Sequence, residues 1–398
     1  MHIFLISVTY YPDQKSASFM LKTLAEDLIN LGHEVTVLTF SSSIRSKLSV
    51  DIINQVKVIR LSVPDPGFSK IKRALIELSY SRMIISFLKS DFLNNQKKID
   101  AVLYYSPSIF FGKAVNFIKN KWSIHSYLIV RDLFPDWLVK IGQMKKGIIY
   151  YFFKIYERKS FLSANTIGVE SIADISYAKN IIKNTDIQVE HLLNWFSVSE
   201  SKSNNTDSSS FLAKDKINLI YGGSLGLAQD LEGFLSLLSR LDSAKKLRII
   251  IIGSGEKKDS ISNFINQSNL DIKLIPMMER AKYLDLVSMA DGGLVCLDKN
   301  LEANNYPGKS FDYMHFSKPL FCYLNANNEF GTMVKNRKFG YVVEGGNLDS
   351  LDKNLKLFIE NLEIRNLRGS NAKNVLADSF SVRKSALQIE SAFNRDII

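Results

Sequence analysis

The sequence predicts an α/β protein of two doubly wound, Rossmann-like domains facing a central cleft. Three observations predict it. Apolar, strand-length runs alternate with helical patterns in both halves of the chain, the order that gives parallel sheets covered by helices. One low-complexity tract rich in Ser and Asn, over residues 197–210, divides the halves as a flexible linker would. In the second half, glycine-rich turns follow two of the strands, at the end of an open sheet where ligands bind.

Residues 3–9 open the chain as an apolar strand. A loop over 10–18 leads to a helical pattern over 19–31, whose Met20, Leu21, Leu24, Leu28 and Leu31 share one face. Gly32 stops that helix and residues 33–39 form the next strand, so the chain begins with a β-α-β unit. Strands follow at 56–61 and 101–105. Between them, residues 71–92 read as one long helix whose apolar positions, including Leu75, Leu78, Ile84, Ile85, Leu88 and Phe92, cover more than a narrow stripe. Residues 126–130 form a strand that runs into Arg131-Asp132-Leu133-Phe134-Pro135-Asp136-Trp137. Charged groups just past a strand's carboxyl end stand where such sheets hold ligands, although Arg131 paired with Asp132 or Asp136 would also account for them. Residues 145–162 mix eight apolar or aromatic side chains from Ile148 to Tyr156 with Lys145, Lys146, Lys154, Arg158 and Lys159. That composition suits an interfacial helix.

The first domain accordingly spans residues 1–196 and the linker 197–215. In the second domain, 216–379, strands at 217–221, 247–252, 272–275, 293–297 and 319–323 alternate with helices at 230–241, 257–267, 281–289 and 307–316. A closing helix within 380–398 is expected to pack back on the first domain.

At 398 residues and 46% hydrophobic, the chain can give each domain a core and is too apolar for disorder. Its two cysteines, Cys296 and Cys322, are too few for a disulfide framework or a cysteine metal cluster and fit a reducing cytoplasm. No run approaches the roughly 20 apolar residues that cross a bilayer, and no basic leader precedes His2-Ile3-Phe4, so neither secretion nor a membrane span is expected. Between Phe68 and Ser160 stand 17 Lys and Arg against 6 Asp and Glu, equal to the whole formal net charge of +11. A basic region laced with aromatic and aliphatic side chains points to an anionic membrane surface rather than nucleic acid, while a solvated lysine-rich face over core helices would read the same way.

The chemistry concentrates in Asn304-Asn305-Tyr306-Pro307-Gly308-Lys309-Ser310-Phe311-Asp312-Tyr313-Met314. Pro307 suits a first helical turn and Gly308 lets other atoms approach the backbone, giving a helix start with free N–H groups. Lys309 adds a full positive charge, and Asp312, one turn on, can accept from sugar hydroxyls. A nucleoside diphosphate fits this pattern; so does an ordinary helix in which Lys309 and Asp312 form a surface pair. Gly222-Gly223-Ser224-Leu225-Gly226 and Gly253-Ser254-Gly255 form the two turns at strand ends. The dinucleotide fingerprint fails because Lys258 occupies the third glycine's place, which disfavours NAD, and Gly308-Lys309-Ser310 lacks the rest of a P-loop. No two aspartates stand two apart and the five histidines are scattered, so no metal is expected. A leaving diphosphate would be met by Lys309 and backbone N–H groups.

Taken in order, these motifs resemble glycosyltransferase family 4, of the GT-B fold, and most closely its WbuB-like branch of O-antigen and capsule enzymes. Tyr11-Pro12-Asp13 through Gly32-His33-Glu34-Val35-Thr36-Val37 looks like that branch's opening, and Arg131-Asp132-Leu133-Phe134-Pro135 is similar to its R-D-L-W-P. Tyr221-Gly222-Gly223-Ser224-Leu225-Gly226-Leu227-Ala228-Gln229 resembles its Y-A-G-N-I-G-L-A-Q, and the segment from Pro307 to Met314 its P-S-K-L-F-E-Y-M. The family's E-x7-E pair falls on Asn304 and Asp312, with Glu302 out of register; His315 and Ser317 stand where alanine and glycine are usual.

The resemblance implies a retaining, metal-independent glycosyltransferase without a cofactor. It would move a sugar, N-acetylated or deoxy, such as N-acetylfucosamine, from a UDP-sugar to a lipid-linked, undecaprenyl-diphosphate acceptor. Gly223, Ser224, Gly226, Gly308 and Lys309 would hold the diphosphate and Asp312 the ribose. Asp132 and Arg131 would orient the acceptor or the transferred sugar, and Lys145, Lys146 and Lys154 would face an anionic membrane. The expected place is cytoplasmic, peripheral on the inner face of the cell membrane. An epimerase or hydrolase of nucleotide sugars on the same fold, or a non-enzymatic membrane-surface protein, stays open, because fold does not fix function.

Overall fold

A computed structural model describes residues 1–13, 15–67, 69–92, 98–140, 142–196, 208–299 and 306–395. The chain divides into two compact units, Met1–Ser197 with Ser381–Ile398, and Val198–Phe380. Most of the expected linker, residues 197–207, lies outside the described residues.

The first unit contains β1 (His2–Ile6), α1 (Ser16–Asn30), β2 (Glu34–Ser41), β3 (Leu48–Ile53), β4 (Val56–Ser62), α2 (Lys70–Phe87), β5 (Ala101–Tyr105), α3 (Gly112–Trp122), β6 (His125–Val130), α4 (Asp136–Lys140), α5 (Ile148–Phe161), β7 (Thr166–Val169), α6 (Ile172–Ile181) and β8 (Gln188–His191). Its sheet runs β3-β4-β2-β1-β5-β6-β7-β8, parallel except for the β3–β4 hairpin. The central strands are buried along their whole length, which is why they read in sequence as unbroken apolar runs. The first strand ends at Ile6 rather than residue 9. Ser7 Oγ donates to the carbonyl of Thr9 (2.7 Å) and Thr9 Oγ1 to Asp13 (2.6 Å), turning the chain out of the ladder. The long helix expected over 71–92 is α-helical only to Phe87 and finishes in a π turn, Leu88–Phe92.

The second unit contains β9 (Ile217–Ser224), α7 (Leu231–Leu238), β10 (Leu247–Ser254), α8 (Lys258–Gln267), β11 (Ile272–Ile275), α9 (Arg280–Met289), β12 (Gly292–Cys296), α10 (Lys309–His315), β13 (Leu320–Leu324), α11 (Glu329–Asn336), β14 (Gly340–Glu344), α12 (Leu348–Glu360) and α13 (Leu362–Ser379). Its sheet is parallel throughout, in the order β11-β10-β9-β12-β13-β14. The strand order reverses between β9 and β12. A crevice opens at such a point because the connections leave the two strand ends in opposite directions.

After α13 the chain returns to the first unit as α14 (Val382–Asn394). Ala386, Ile389 and Phe393 of this helix join Leu21, Leu24 and Leu28 of α1 over one face of the first sheet, against Ile3, Leu5, Leu103 and Ile129. Gln388 donates to Glu190 (2.9 Å) and to the carbonyl of His191 (3.0 Å), tying α14 to β8. The other face is covered by α2, α3, α5 and α6 through Ile84, Val115, Phe161 and Ala178. In the second unit α7 and α12 bury Phe234, Leu235, Leu355 and Phe358 against Leu219, Ile249, Leu294 and Phe321. Among the described residues no helix is long and apolar enough to cross a membrane.

Candidate functional site

In the second unit the switch point brings three turns together. Gly223 closes β9 at φ +134°, a conformation that a side-chain-bearing residue rarely adopts, and a Cβ there would stand 3.3 Å from Lys309 Cε. Lys309, the first residue of α10, therefore lies directly over the end of β9. Its ammonium sits 3.8 Å from the centre of the Tyr221 ring. Among the described residues it has no carboxylate partner, so the surface pair with Asp312 does not form. Burial pushes its pKa down to about 8, with only the Cys296 thiol acting the other way. The turn after β10 packs on the turn after β9: a Cβ on Gly253 would fall 2.0 Å from the carbonyl oxygen of Gly223, and one on Gly255 2.4 Å from that of Leu225. These two glycines are needed for backbone contact whether or not a ligand binds. Ser224 is exposed at the strand end, and Gly226 N–H donates to Gln229 Oε1 (3.2 Å).

The segment from Pro307 differs from the sequence expectation in two respects. The helix it starts has only 7 residues, and two of its early N–H groups are spent: Ser310 N–H bonds to the Pro307 carbonyl (2.9 Å) and Phe311 N–H to that of Gly308 (3.3 Å). The charge at this site is therefore carried by Lys309 more than by a helix end. Gly308 has φ −55°, and a Cβ there would meet nothing within 4 Å, so its own backbone does not require glycine. Ser317, where glycine is usual, adopts φ +55°. Asn304 and Glu302 lie outside the described residues.

Asp312 is committed to a partner that sequence reasoning missed. Arg280, at the start of α9, donates through Nη1 to Oδ2 (2.8 Å) and through Nη2 to Oδ1. Burial raises the carboxyl's pKa against the lowering influence of Arg280 and His315. Arg280 and Asp312 are 32 residues apart, and only the fold of α9 onto α10 pairs them. The pair belongs to a polar layer under the β9 turn: Arg280 lies over the Tyr283 ring, Tyr283 is hydrogen-bonded to Tyr313, and the Tyr313 hydroxyl accepts from Gly222 N–H at 3.0 Å.

In the first unit Arg131 and Asp132 leave β6 in opposite roles. The Arg131 guanidinium donates to the carbonyls of Leu192 (2.5 Å) and Leu193 (3.2 Å) and stacks over Trp195, whose indole N–H is fixed to the Met20 carbonyl (2.8 Å). It is thus turned into its own domain, where it holds the segment after β8. Its guanidinium is spent on these carbonyls and, among the described residues, makes no ion pair with Asp132 or Asp136. Asp132 is exposed and, among the described residues, its carboxylate is unpaired; the surrounding protein raises its pKa against the pull of Arg131.

Lys154 also departs from expectation. It donates to Asp136 (2.8 Å) and the Tyr177 hydroxyl (2.7 Å) and contacts Glu157, so its charge is spent inside the domain and not on a membrane-facing surface. Tyr150 donates to Asp136 (2.6 Å), and the Tyr177 hydroxyl lies within hydrogen-bonding range of both carboxylates. This cluster ties α4, α5 and α6 together. Lys145 and Lys146 are exposed on the turn before α5, and the outer face of that helix presents Ile148 (90% exposed), Ile149, Tyr151, Phe152 and Ile155 (54%).

The family model described as glycosyl transferases group 1 matches residues 203–375, the second unit almost in full. A search of curated proteins gives no match. Among solved structures the chain is similar to a sucrose-phosphate synthase from Thermosynechococcus elongatus, at 14% identity over 100% of this chain and 99% of the other, with a TM-score of 0.71. A trehalose-6-phosphate enzyme from E. coli, bound with UDP-2-fluoro glucose, aligns over 99% of both chains at 10% identity and a TM-score of 0.72. WaaG, a glycosyltransferase involved in lipopolysaccharide biosynthesis, aligns over 99% of this chain and 100% of its own at 12% identity and a TM-score of 0.66. The fold is GT-B, with two Rossmann-like domains, and the match of the second unit supports a glycosyltransferase.

Proposed function

We propose that this chain is a retaining, metal-independent glycosyltransferase that uses a UDP-sugar donor and a lipid-linked acceptor in surface-polysaccharide synthesis. The observation that carries the donor half is the unpaired Lys309 ammonium seated on Gly223 at the switch point of a domain matching glycosyl transferases group 1. Lys309, with the backbone at Gly223 and the Ser224 hydroxyl, would bind the diphosphate and stabilise the charge that develops as it departs. In the retaining step the bond from the anomeric carbon to the diphosphate oxygen breaks, and the acceptor oxygen bonds to that carbon on the same face. The acceptor proton passes to the departing phosphate oxygen, so no protein nucleophile is required. The protein positions the reactants, and the exposed Asp132 of the first domain would orient an acceptor hydroxyl. The relative solved with UDP-2-fluoro glucose supports a UDP-sugar, and the lipopolysaccharide relative supports a surface glycan.

A thermal-shift screen of UDP-sugars, followed by mass-spectrometric detection of turnover on an undecaprenyl-diphosphate glycan, tests this reading. Stabilisation by UDP-sugars and transfer to the lipid are expected. Free monosaccharide and UDP formed equally well without acceptor would make the protein a hydrolase instead.

The membrane half rests on α5. Apolar side chains on its outer face beside Lys145 and Lys146 match an anionic bilayer surface, the one side entering the acyl boundary and the other meeting head groups. Lys145→Gln with Lys146→Gln should cost about 2 kcal/mol, roughly 30-fold in binding to vesicles containing phosphatidylglycerol. Ile148→Ser with Ile155→Ser should weaken binding further, and flotation unchanged in both double variants would rule out this surface.

A further inference from the structure

We infer that the cavity between α5 and α6 binds the head group of a single anionic phospholipid, with Arg158 and Asn180 meeting its phosphate. The inference rests on the membrane reading above and deepens it, from adsorption on a charged surface to one defined site.

The cavity measures about 420 Å³, within the range of small-ligand sites, and its walls differ in kind. The exposed Tyr151 and Ile155 and the half-buried Ile181 supply an apolar side. Lys154 and Glu157 supply a closed one, because the lysine is already spent on Glu157, Asp136 and Tyr177. Arg158 and Asn180 stand on the last turns of α5 and α6. Both are exposed, and neither side chain has a hydrogen-bond or ion-pair partner among the described residues. A guanidinium fork and an amide N–H left free beside an apolar wall match a phosphodiester joined to hydrocarbon, whose oxygens accept from both donors. The helix makes that wall continuous with the membrane-facing row. Ile148, Tyr151, Ile155 and Arg158 follow one another at spacings of three and four residues, so they share one face of α5. A phosphate on Arg158 would set the glycerol and first acyl carbons over Ile155 and Tyr151, from which the apolar row runs on to Ile148. The site is also separate from the group assigned to the acceptor. Both helices run antiparallel to β6, β7 and β8, so their last turns lie at the amino ends of these strands, opposite to the end where Asp132 leaves β6.

Dihexanoyl phosphatidylglycerol, kept below the concentration at which it forms micelles, probes the site without a bilayer. Its binding to the full chain, followed by titration calorimetry, should saturate at one lipid per chain. Arg158→Gln should weaken it by about tenfold or more, the size of one charge-assisted hydrogen bond, and Arg158→Lys, which keeps the charge without the fork, should recover part of the loss. Asn180→Asp sets a carboxylate against the phosphate and should weaken it as well. Lys145→Gln with Lys146→Gln should leave this binding unchanged while still weakening vesicle flotation, since those lysines lie outside the cavity. All four positions are exposed, so urea unfolding should be unaltered in every variant. The soluble sn-glycerol 3-phosphate should bind far more weakly than the lipid; equal affinity would give the cavity to a free phosphate and overturn the lipid assignment. A chain that floats with phosphatidylglycerol vesicles but shows no saturable binding of the monomeric lipid, or binds it as tightly after Arg158→Gln, overturns this inference and leaves the membrane reading standing. A chain that does not float at all overturns the membrane reading, and this inference with it.

Discussion

Lys309→Ala should weaken the binding of UDP and of pyrophosphate alike, by about 100-fold, and should reduce transfer to the limit of detection. An ammonium donating to a phosphate in a partly desolvated site contributes roughly 1.5–3 kcal/mol. The site also carries a pH signature. Burial pushes the Lys309 pKa down to about 8. The protonated form binds the diphosphate, so wild-type affinity should fall as pH rises from 7 to 9, whereas Lys309→Ala should show no such slope. Binding at pH 8.5 should take up protons, visible as a dependence of the calorimetric heat on the buffer's ionisation enthalpy. The sign for folding follows from the same depressed pKa. Between about 8 and the ordinary lysine value of 10.5 the unfolded chain holds this proton more tightly than the folded one, so Lys309 contributes a rise in stability with pH across that window. Wild-type affinity that stays level from pH 6.5 to 9.5 would show that Lys309 does not contact the diphosphate.

Lys154→Ala should destabilise the protein by about 3 kcal/mol at pH 7.5, measured by urea unfolding. It strips the cation from two carboxylates, one of them, Glu157, only 1% exposed, and a buried charge left without its partner is far more costly than a lost surface pair. The two acids respond differently to their setting. Burial raises Glu157 despite Lys154 and Tyr177, while Asp136, although burial pushes it up, is held below its ordinary value by hydrogen bonds from Lys154, Tyr150 and Tyr177. In the variant Glu157 can relieve its charge by taking up a proton. The folded chain then binds that proton more tightly than the unfolded one, so the deficit should shrink as pH falls from 7.5 towards 5. A loss below about 1 kcal/mol at pH 7.5 would mean that solvent already screens the cluster. The same substitution should leave vesicle binding less affected than the Lys145 and Lys146 changes, since Lys154 is not a surface charge.

The largely buried parallel strands were legible because most of their side chains are apolar; β1, β5, β6, β9 and β10 all read directly. The strands that escaped, β3, β7, β8 and β14, are short or lie at a sheet edge, where side chains such as Gln188 and Glu190 need not be apolar. In the candidate site, Gly223 and Lys309 were legible from motif and spacing. Arg280 was not. It stands in an ordinary helical stretch, and its partner is 32 residues away on another helix.

The sequence by itself determined the alternation of strand and helix, the two-domain order, the position of the glycine turns and the place of Lys309, because each follows from local backbone preference or from hydrophobic period. Tertiary structure alone decided which charges are spent and which are available. Lys154 reads in the sequence as a membrane-facing cation and Arg131 as a ligand-orienting group, yet both are bonded inside their domain; Asp312 is taken by Arg280, and Lys309 and Asp132 are left unpaired among the described residues. The physical reason is that a charge's role depends on its burial and its nearest partner, and in a parallel α/β sheet those partners come from elements far apart along the chain.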